Sequence, residues 1–527
     1  MQASNMPSML AAARGTEAAT DRVEPVGQES LALLDGGRQA YPRMLQAIAA
    51  SRRSVHFEMY GFAKSGTGAL FIEALADAAR RGVAVRVHID GWGSAHGGRH
   101  VAGALREAGC TVRIYNRLRT MLVGRFGRNH RKVMLVDDEV AFIGGINIGD
   151  ENVSEGLRLG WADLALEIRG PQCRALAQMI RRKSRVLCYG SLRIDFCGLG
   201  GGWRLRRQYL EAIAGARRRI DLAHGYFLPD RGIVRALTRA SRRGVAVCLL
   251  LPGRSDIPLV RAATRGRYRR LLAAGIQIRE WDGSVLHAKV AACDGRRLLV
   301  GSFNLDPFSL VNHEALVQVV DRDVVERGQA WIEDHFARSR EITLVEASSR
   351  LHRWLFEPLG HLVALMTATA GRMIAGRSQR QVRRDDRASS GWPPGVIGDG
   401  AGRATRPSRG SAMTPDPVEV QMPPPGLGLA AASNASLRLG RVAASTSSLT
   451  RKIGGAAVGL SVLGLGLALV VLPGPSVLVI PLGLTILAKE FHWARRLLQP
   501  VHKLRRHKAR AAASRRGTIA AHRVGGA

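Results

Sequence analysis

Asn129 to Asn147, NHRKVMLVDDEVAFIGGIN, and Leu286 to Asn304, LHAKVAACDGRRLLVGSFN, are two versions of one pattern. Each contains His-x-Lys-x4-Asp: His130, Lys132 and Asp137 in the first, His287, Lys289 and Asp294 in the second. A small pair follows each aspartate, Gly144-Gly145 or Gly301-Ser302, and then Asn147 or Asn304 at matching distance. The apolar run after each lysine predicts a strand. Asp137-Asp138-Glu139 and Asp294-Gly295-Arg296 predict the turns that end it. Residues two apart on a strand point to one side, so each histidine projects with its lysine. The aspartates fall at the turns, with side chains better placed to fix the loop. A lone His-x-Lys pair would read as a solvated or satisfied histidine; two copies with equal internal spacing do not.

The repetition extends outward. Arg80 to Val85, RRGVAV, recurs letter for letter at Arg242 to Val247, and Val55 to Phe62, VHFEMYGF, has a counterpart in Ile220 to Phe227, IDLAHGYF. Each half reads strand, helix, strand, helix and then the motif hairpin, an α/β pattern. Two such halves packed face to face would bring both His-Lys pairs into one cleft. A helix is expected over Gly66 to Arg81, a strand over Val83 to Ile89, and a closing helix over Asp323 to Arg340 with Asp323 as its N-cap.

The 527 residues leave room for two or three domains and a large core. Lys and Arg number 78 against 42 Asp and Glu, a formal charge of +36 that favours anionic partners: nucleic acid, an acidic membrane surface or a phosphate-bearing substrate. The six cysteines (Cys110, Cys173, Cys188, Cys197, Cys248, Cys293) show no paired spacing and read as reduced thiols, not a disulfide frame or zinc site. Met9 to Ala13 is too short an apolar run for a secretory signal.

In chain order, residues 1–29 read as a flexible tail, 30–185 and 186–345 as the two α/β domains, and 346–377 as an amphipathic or interfacial helical segment. The Gly-, Pro- and Ser-rich stretch 378–450 reads as a disordered linker. Residues 451–510 read as a membrane hairpin with basic flanks, and 511–527 as a basic tail. Ile453 to Ala488 contains no charged residue. At ~1.5 Å per residue it is too long for one perpendicular span of a core ~30 Å thick and slightly short for two, and Pro473-Gly474-Pro475 breaks it near the middle. Lysines and arginines lie on both flanks; if positive residues stay inside, both ends are expected on the cytoplasmic side. Arg117 to Arg128, RLRTMLVGRFGR, mixes basic and apolar residues beside the first motif: a lipid-touching loop or an ordinary surface loop.

Two imidazoles and two ammonium groups in one cleft suit a phosphodiester. Lys132, Lys289, Asn147, Asn304 and the Ser302 hydroxyl can hold non-bridging oxygens and offset charge in the transition state without a metal. One neutral histidine can attack phosphorus while the other, protonated, donates to the leaving oxygen and later deprotonates an incoming hydroxyl. Water as acceptor makes a hydrolase, an alcohol a transferase. Neither motif reads as a metal site, because lysine accompanies each histidine where a carboxylate or second histidine is wanted. No cofactor is expected.

These motifs, with VAFIGGINIGDEN, Trp161-Ala162-Asp163, SVLHAKV and GSFNLDPFSLVNHEA, resemble the phospholipase D superfamily and, within it, the bacterial cardiolipin synthases over about residues 30–345. The resemblance implies two phospholipase D-like domains sharing one site, with His130, Lys132, Asp137, His287, Lys289 and Asp294 as the catalytic set. It further implies that an acidic residue downstream of each motif orients a histidine; Asp163 and Glu314 occupy those positions. The implied reaction condenses phosphatidylglycerol with a second phospholipid at the bacterial inner membrane, with the catalytic domains on the cytoplasmic face and no nucleic acid partner. VLPGPSVLVIPLGLTILAKEFHWARRLL resembles small bacterial membrane proteins marked by a PGPGW sequence, from which Ser476 departs. A metal-independent nuclease of the same superfamily and a non-enzymatic membrane adaptor are the rival readings. The second lipid, the oligomeric state and which histidine is the nucleophile are not legible.

Overall fold

The structure is a computed structural model and describes residues 30–349, apart from 96, 117–127 and 154–158, together with residue 356. The expected tail at 1–29, the linker, the membrane hairpin, the basic C-terminus and nearly all of the Arg117 loop and the 346–377 segment lie outside the described residues. Among the described residues no helix is long and apolar enough to cross a membrane.

The first half contains β1 (Ser30–Asp35), α1 (Gly36–Ala49), β2 (Ser54–Met59), α2 (Thr67–Arg80), β3 (Ala84–Asp90), α3 (Gly98–Glu107), β4 (Thr111–Tyr115), β5 (Lys132–Val136), β6 (Val140–Gly144) and β7 (Leu164–Arg169). A connecting helix, α4 (Pro171–Arg182), leads to β8 (Val186–Tyr189) and β9 (Leu192–Cys197). The rest of the second half is α5 (Gly202–Gly215), β10 (Arg219–His224), α6 (Arg231–Arg242), β11 (Ala246–Arg254), α7 (Pro258–Arg265), α8 (Tyr268–Leu272), β12 (Gln277–Val285), β13 (Lys289–Cys293), β14 (Arg297–Gly301) and β15 (Glu314–Val319). It closes with α9 (Arg322–Ala337), β16 (Arg340–Glu341) and α10 (Leu344–Ala347).

The first sheet has the order β1-β7-β6-β5-β2-β3-β4, and the second repeats it as β9-β15-β14-β13-β10-β11-β12 with β8 and β16 added at the edges. Both are mixed: the βαβ strands run parallel, while each motif hairpin inserts antiparallel beside β2 or β10. The strand-helix-strand-helix reading needs one addition per half. β4 and β12 pair parallel to the preceding strand, and β4 is a short alternating segment easily merged with the loop that follows it. The closing helix also starts earlier than expected. Asp321, not Asp323, caps it, accepting from the Val324 N–H at 3.1 Å.

Three cores follow from the period-2 pattern of the strands. Within the first half, Val55, Phe57, Met134 and Val136 pack beneath helices that supply Ile48, Phe71 and Leu105. The second half does the same with Ile220, Leu222, Leu237 and Leu249. The opposite faces meet each other: Val133, Leu135, Ile143 and Leu166 join Val290, Ala292, Val300 and Val317 in one continuous cluster. A strand buried on both sides explains why KVMLV and KVAAC carry no polar residue after the lysine.

The motif aspartates belong to this scaffold and not to the cleft, which corrects their assignment to the catalytic set. Asp137 (φ +52°) and Asp294 (φ +56°) adopt left-handed backbone at the hairpin turns. The Asp137 carboxylate accepts from the backbone N–H groups of Arg52, Arg53 and Ser54 at 2.7 Å each. Asp294 accepts from Arg217, Arg218 and Arg219 at 2.8–2.9 Å. A full strand separates each from its histidine, roughly 20 Å of extended chain.

Burial pushes the Asp294 carboxyl up, but the three N–H donors outweigh it and hold the acid below its usual range. A depressed folded pKa gives stability that is present above the unfolded value and lost as pH falls. Asp294→Ala should therefore lower unfolding free energy by roughly 1–3 kcal/mol at neutral pH. In denaturant titrations the difference from the unsubstituted protein should close below about pH 4.

Candidate active site

Lys132 and Lys289 are the first residues of the two central motif strands, opposite Met59 of β2 and His224 of β10. Each histidine precedes its lysine by two residues and lies where the strand meets the other half. Two isolated bridges clamp that crossing, Asn129 with His313 and Ala162 with Leu286. The His130 N–H donates to the His313 carbonyl and the His287 N–H to the Ala162 carbonyl, both at 2.9 Å. The next residue on each clamping strand is an acid: Glu314 after His313, Asp163 after Ala162.

The acids therefore cross over. His287 Nδ1 lies 2.6 Å from Asp163 Oδ2, and His130 Nδ1 lies 3.0 Å from Glu314 Oε2 and 3.1 Å from the Ser302 carbonyl. A carbonyl only accepts, so His130 Nδ1 carries the proton and Nε2 keeps its lone pair. Lys289 Nζ also approaches His287 Nδ1, at 2.9 Å. The shorter carboxylate contact is the charge-assisted one, so this Nδ1 is likewise the donor. Lys289 Nζ additionally donates to the His287 carbonyl and stands 3.6 Å from Asp163. Lys132 Nζ donates to the His130 carbonyl at 2.8 Å and lies 4.9 Å from the centre of the Tyr60 ring.

Burial of four basic groups dominates the electrostatics. It drives His130 well below its ordinary value, with Lys132, Lys289 and His287 adding to the effect, so the imidazole is neutral at pH 7. Burial and Lys289 also lower His287, against the pull of Asp163. Lys132 falls from 10.5 to about 7, through burial and then Lys289. The two acids diverge. Burial raises Glu314 to about 7 despite Lys132, whereas Lys289 and His287 overcome burial at Asp163 and keep it ionised. The mutual influence of Lys132, Lys289, His130 and His287 reflects one shared, desolvated cleft.

Ser302 does not offer its hydroxyl to the cleft, a correction to its expected phosphate-binding role. It is fully buried, donates to Glu314 Oε2 at 2.5 Å and accepts from the Ala315 N–H at 3.0 Å. Its counterpart Gly145 has no such room, because a side chain there would collide with the Asp163 carboxylate. The shorter acid thus sits over the glycine and the longer acid over the serine. Asn147 Oδ1 accepts from the Gly61 N–H at 3.1 Å, which leaves its NH2 as the donor group. Asn304 Oδ1 is buried without a hydrogen-bond partner and lines a small cavity with Arg206, Asp230, Phe303 and Asp306.

Several neighbours were given no role in the site from sequence. Tyr60 packs edge-on against His130 with ring centres 4.6 Å apart, and Arg128 donates to its hydroxyl at 3.2 Å. Trp161 and Tyr226 flank His287 at 5.3 and 5.9 Å, and the Tyr226 hydroxyl donates to Asp256 at 2.5 Å. Both tyrosines fall at the ends of the repeated segments VHFEMYGF and IDLAHGYF, which was the available signal.

A sequence profile described as a cardiolipin synthase, phospholipase D-like domain matches residues 44–170 and 209–336. A second, described as a putative transmembrane protein (PGPGW), matches residues 452–504. Cardiolipin synthase B of Salmonella typhi is 32% identical over 319 residues, covering 55% of this chain and 76% of that protein. Cardiolipin synthase 1 of Staphylococcus aureus is 26% identical over 338 residues, covering 60% and 69%. Among solved structures, a phosphatidylserine synthase of Haemophilus influenzae shares the fold, with a TM-score of 0.52 at 14% identity over 66% of this chain and 94% of that one. With its duplicated motif, its crossed acids and these relatives, the chain belongs to the cardiolipin synthase family of the phospholipase D superfamily.

Proposed function

We propose that this chain is a membrane-associated phosphatidyltransferase that makes cardiolipin from phosphatidylglycerol and a second phospholipid. The observation that carries the reading is the pair of imidazoles, each braced at Nδ1 by a carboxylate from the opposite half, with two buried lysines beside them.

In this reading neutral His130 is the nucleophile. Its Nε2 attacks the phosphorus of phosphatidylglycerol, a P–N bond forms, and the bond to the headgroup glycerol breaks. His287, whose protonated form is favoured once the anionic phosphodiester joins ionised Asp163 beside it, gives its Nε2 proton to the leaving glycerol oxygen. His287 Nε2 then takes a proton from the incoming hydroxyl, which attacks phosphorus, breaks the P–N bond and releases His130. Lys132, Lys289 and the amides of Asn147 and Asn304 hold the non-bridging oxygens and oppose the charge that builds on them. Asp163 and Glu314 act through the histidines as positioning residues, and Ser302 acts through Glu314. The charge of +36 and the uncharged stretch within 451–510 favour a catalytic face held against anionic lipid. We assign the cytoplasmic face of the bacterial inner membrane from the basic residues flanking that stretch.

Purified protein with phosphatidylglycerol vesicles should form cardiolipin and release one glycerol per product, followed by lipid mass spectrometry. His130→Ala or His287→Ala should lower the rate by at least about 10³-fold. Phosphatidic acid without cardiolipin would make the chain a hydrolase. Metal-independent cleavage of single-stranded DNA, lost in the same variants, would favour the nuclease reading.

Lys132 supplies a second prediction. It binds its proton more weakly folded, at about 7, than unfolded, near 10.5. The unfolded chain then carries the extra proton between those values, so raising pH across that window favours folding. Lys132→Met should abolish transfer yet raise unfolding free energy at pH 7 by about 1–3 kcal/mol. That advantage should shrink as pH approaches 10 in denaturant titrations.

A further inference from the structure

Behind the cleft, on the face of the first sheet opposite Phe57, three potential metal donors converge. His56 and Glu58 are two apart on β2 and so share a face, and the parallel register sets His88 of β3 directly beside Glu58. One ligand atom from each lies within 4.8 Å of the other two. Glu58 Oε1 accepts from Asn129 Nδ2 at 2.6 Å. Oε2 faces His56 Nε2 at 3.8 Å and Arg131 at 3.5 Å, both too long for a hydrogen bond. His56 Nε2 is itself buried with no hydrogen-bond partner.

A buried imidazole nitrogen and a buried carboxylate oxygen would ordinarily close to a hydrogen bond. Here they stand 3.8 Å apart. Donors bound tetrahedrally to zinc at ~2.0–2.2 Å lie roughly 3.3–3.5 Å from one another, close to the observed His56–Glu58 spacing. We propose that His56, Glu58 and His88 form a binding site for a divalent metal ion of the zinc class. The ion would be tied through Glu58 and Asn129 to the peptide that carries His130.

The donor chemistry fits. Burial lowers His88 and favours a free lone pair. Burial opposes ionisation of Glu58, but His56 and Arg131 outweigh it and hold the carboxyl well below its usual range. Two imidazoles select zinc-class ions over magnesium or calcium, which prefer all-oxygen shells. Arg131 and Arg113, whose charges act on the cluster, temper the affinity. Arg131 is anchored without Glu58: it donates to the Cys197 carbonyl at 2.8 Å and stacks on Phe196 at 4.8 Å. The site supplies no step of the phosphoryl chemistry; it would stiffen the base on which His130 stands.

The test uses the full chain in a Cys188→Ser background, so that the exposed thiol takes no metal. After chelator dialysis, zinc is titrated in competition with a chromophoric chelator, and cobalt(II) is added separately for its visible d–d absorption. The account expects one zinc bound per chain at this site. It also expects affinity about 100-fold weaker in His56→Ala and in His88→Ala, and loss of the cobalt bands in the double variant. No zinc uptake, or uptake unchanged in the double variant, overturns the proposal. Should the histidine variants fail to fold, X-ray absorption of the zinc-loaded parent decides. Two imidazoles with a carboxylate support the site; any other ligand set overturns it.

Discussion

Each cleft imidazole is fixed by an acid that the other half provides, and this exchange ties the architecture to the chemistry. His287 from the second half leans on Asp163 from the first, and His130 from the first leans on Glu314 from the second. Neither half holds a complete site. The sheet-on-sheet core that joins Val133 and Leu135 to Val290 and Ala292 is therefore also what assembles the cleft. The arrangement buries two imidazoles, two amines and two carboxylates in a small volume, an expensive choice unless the charges compensate. Compensation is partial, which is why Lys132 drops to about 7 and His130 falls well below its ordinary value.

The two crossings are related by the repeat but are not equivalent. On one side a short acid sits over Gly145, ionised and 3.6 Å from Lys289. On the other a longer acid sits over Ser302, raised to about 7 and hydrogen-bonded to the serine hydroxyl. An ionised acid favours a proton on its imidazole, whereas one raised to about 7 favours it less, and burial with the two lysines keeps His130 unprotonated at Nε2. Two copies of one motif thus acquire different electrostatic environments, because Lys289 and His287 outweigh burial at Asp163 whereas burial prevails at Glu314 despite Lys132 and Ser302.

The duplicated α/β plan was legible because period and spacing are local properties of the sequence. The turns at Asp137 and Asp294 were legible for the same reason, and the reading of their side chains as loop-fixing was the physically sound one. Their place in the catalytic set came from the resemblance and did not survive the geometry. What sequence could not supply was partnership across distance. Nothing in the spacing states that Asp163 serves a histidine 124 residues away rather than its own. Ser302 was misread for a related reason: a hydroxyl beside a motif looks available until a carboxylate is found at 2.5 Å. The Asp321 cap turned on which of two nearby acids fits the first helical turn, a choice that sequence leaves open.

The central claim is that both histidines serve one phosphorus atom. Brief exposure of the chain to phosphatidylglycerol labelled at phosphorus, acid-free quenching and peptide mapping would test it most directly. The account predicts a label on one histidine only, at no more than one equivalent per chain. Two equivalents, one on each histidine, would mean two independent sites and would contradict it.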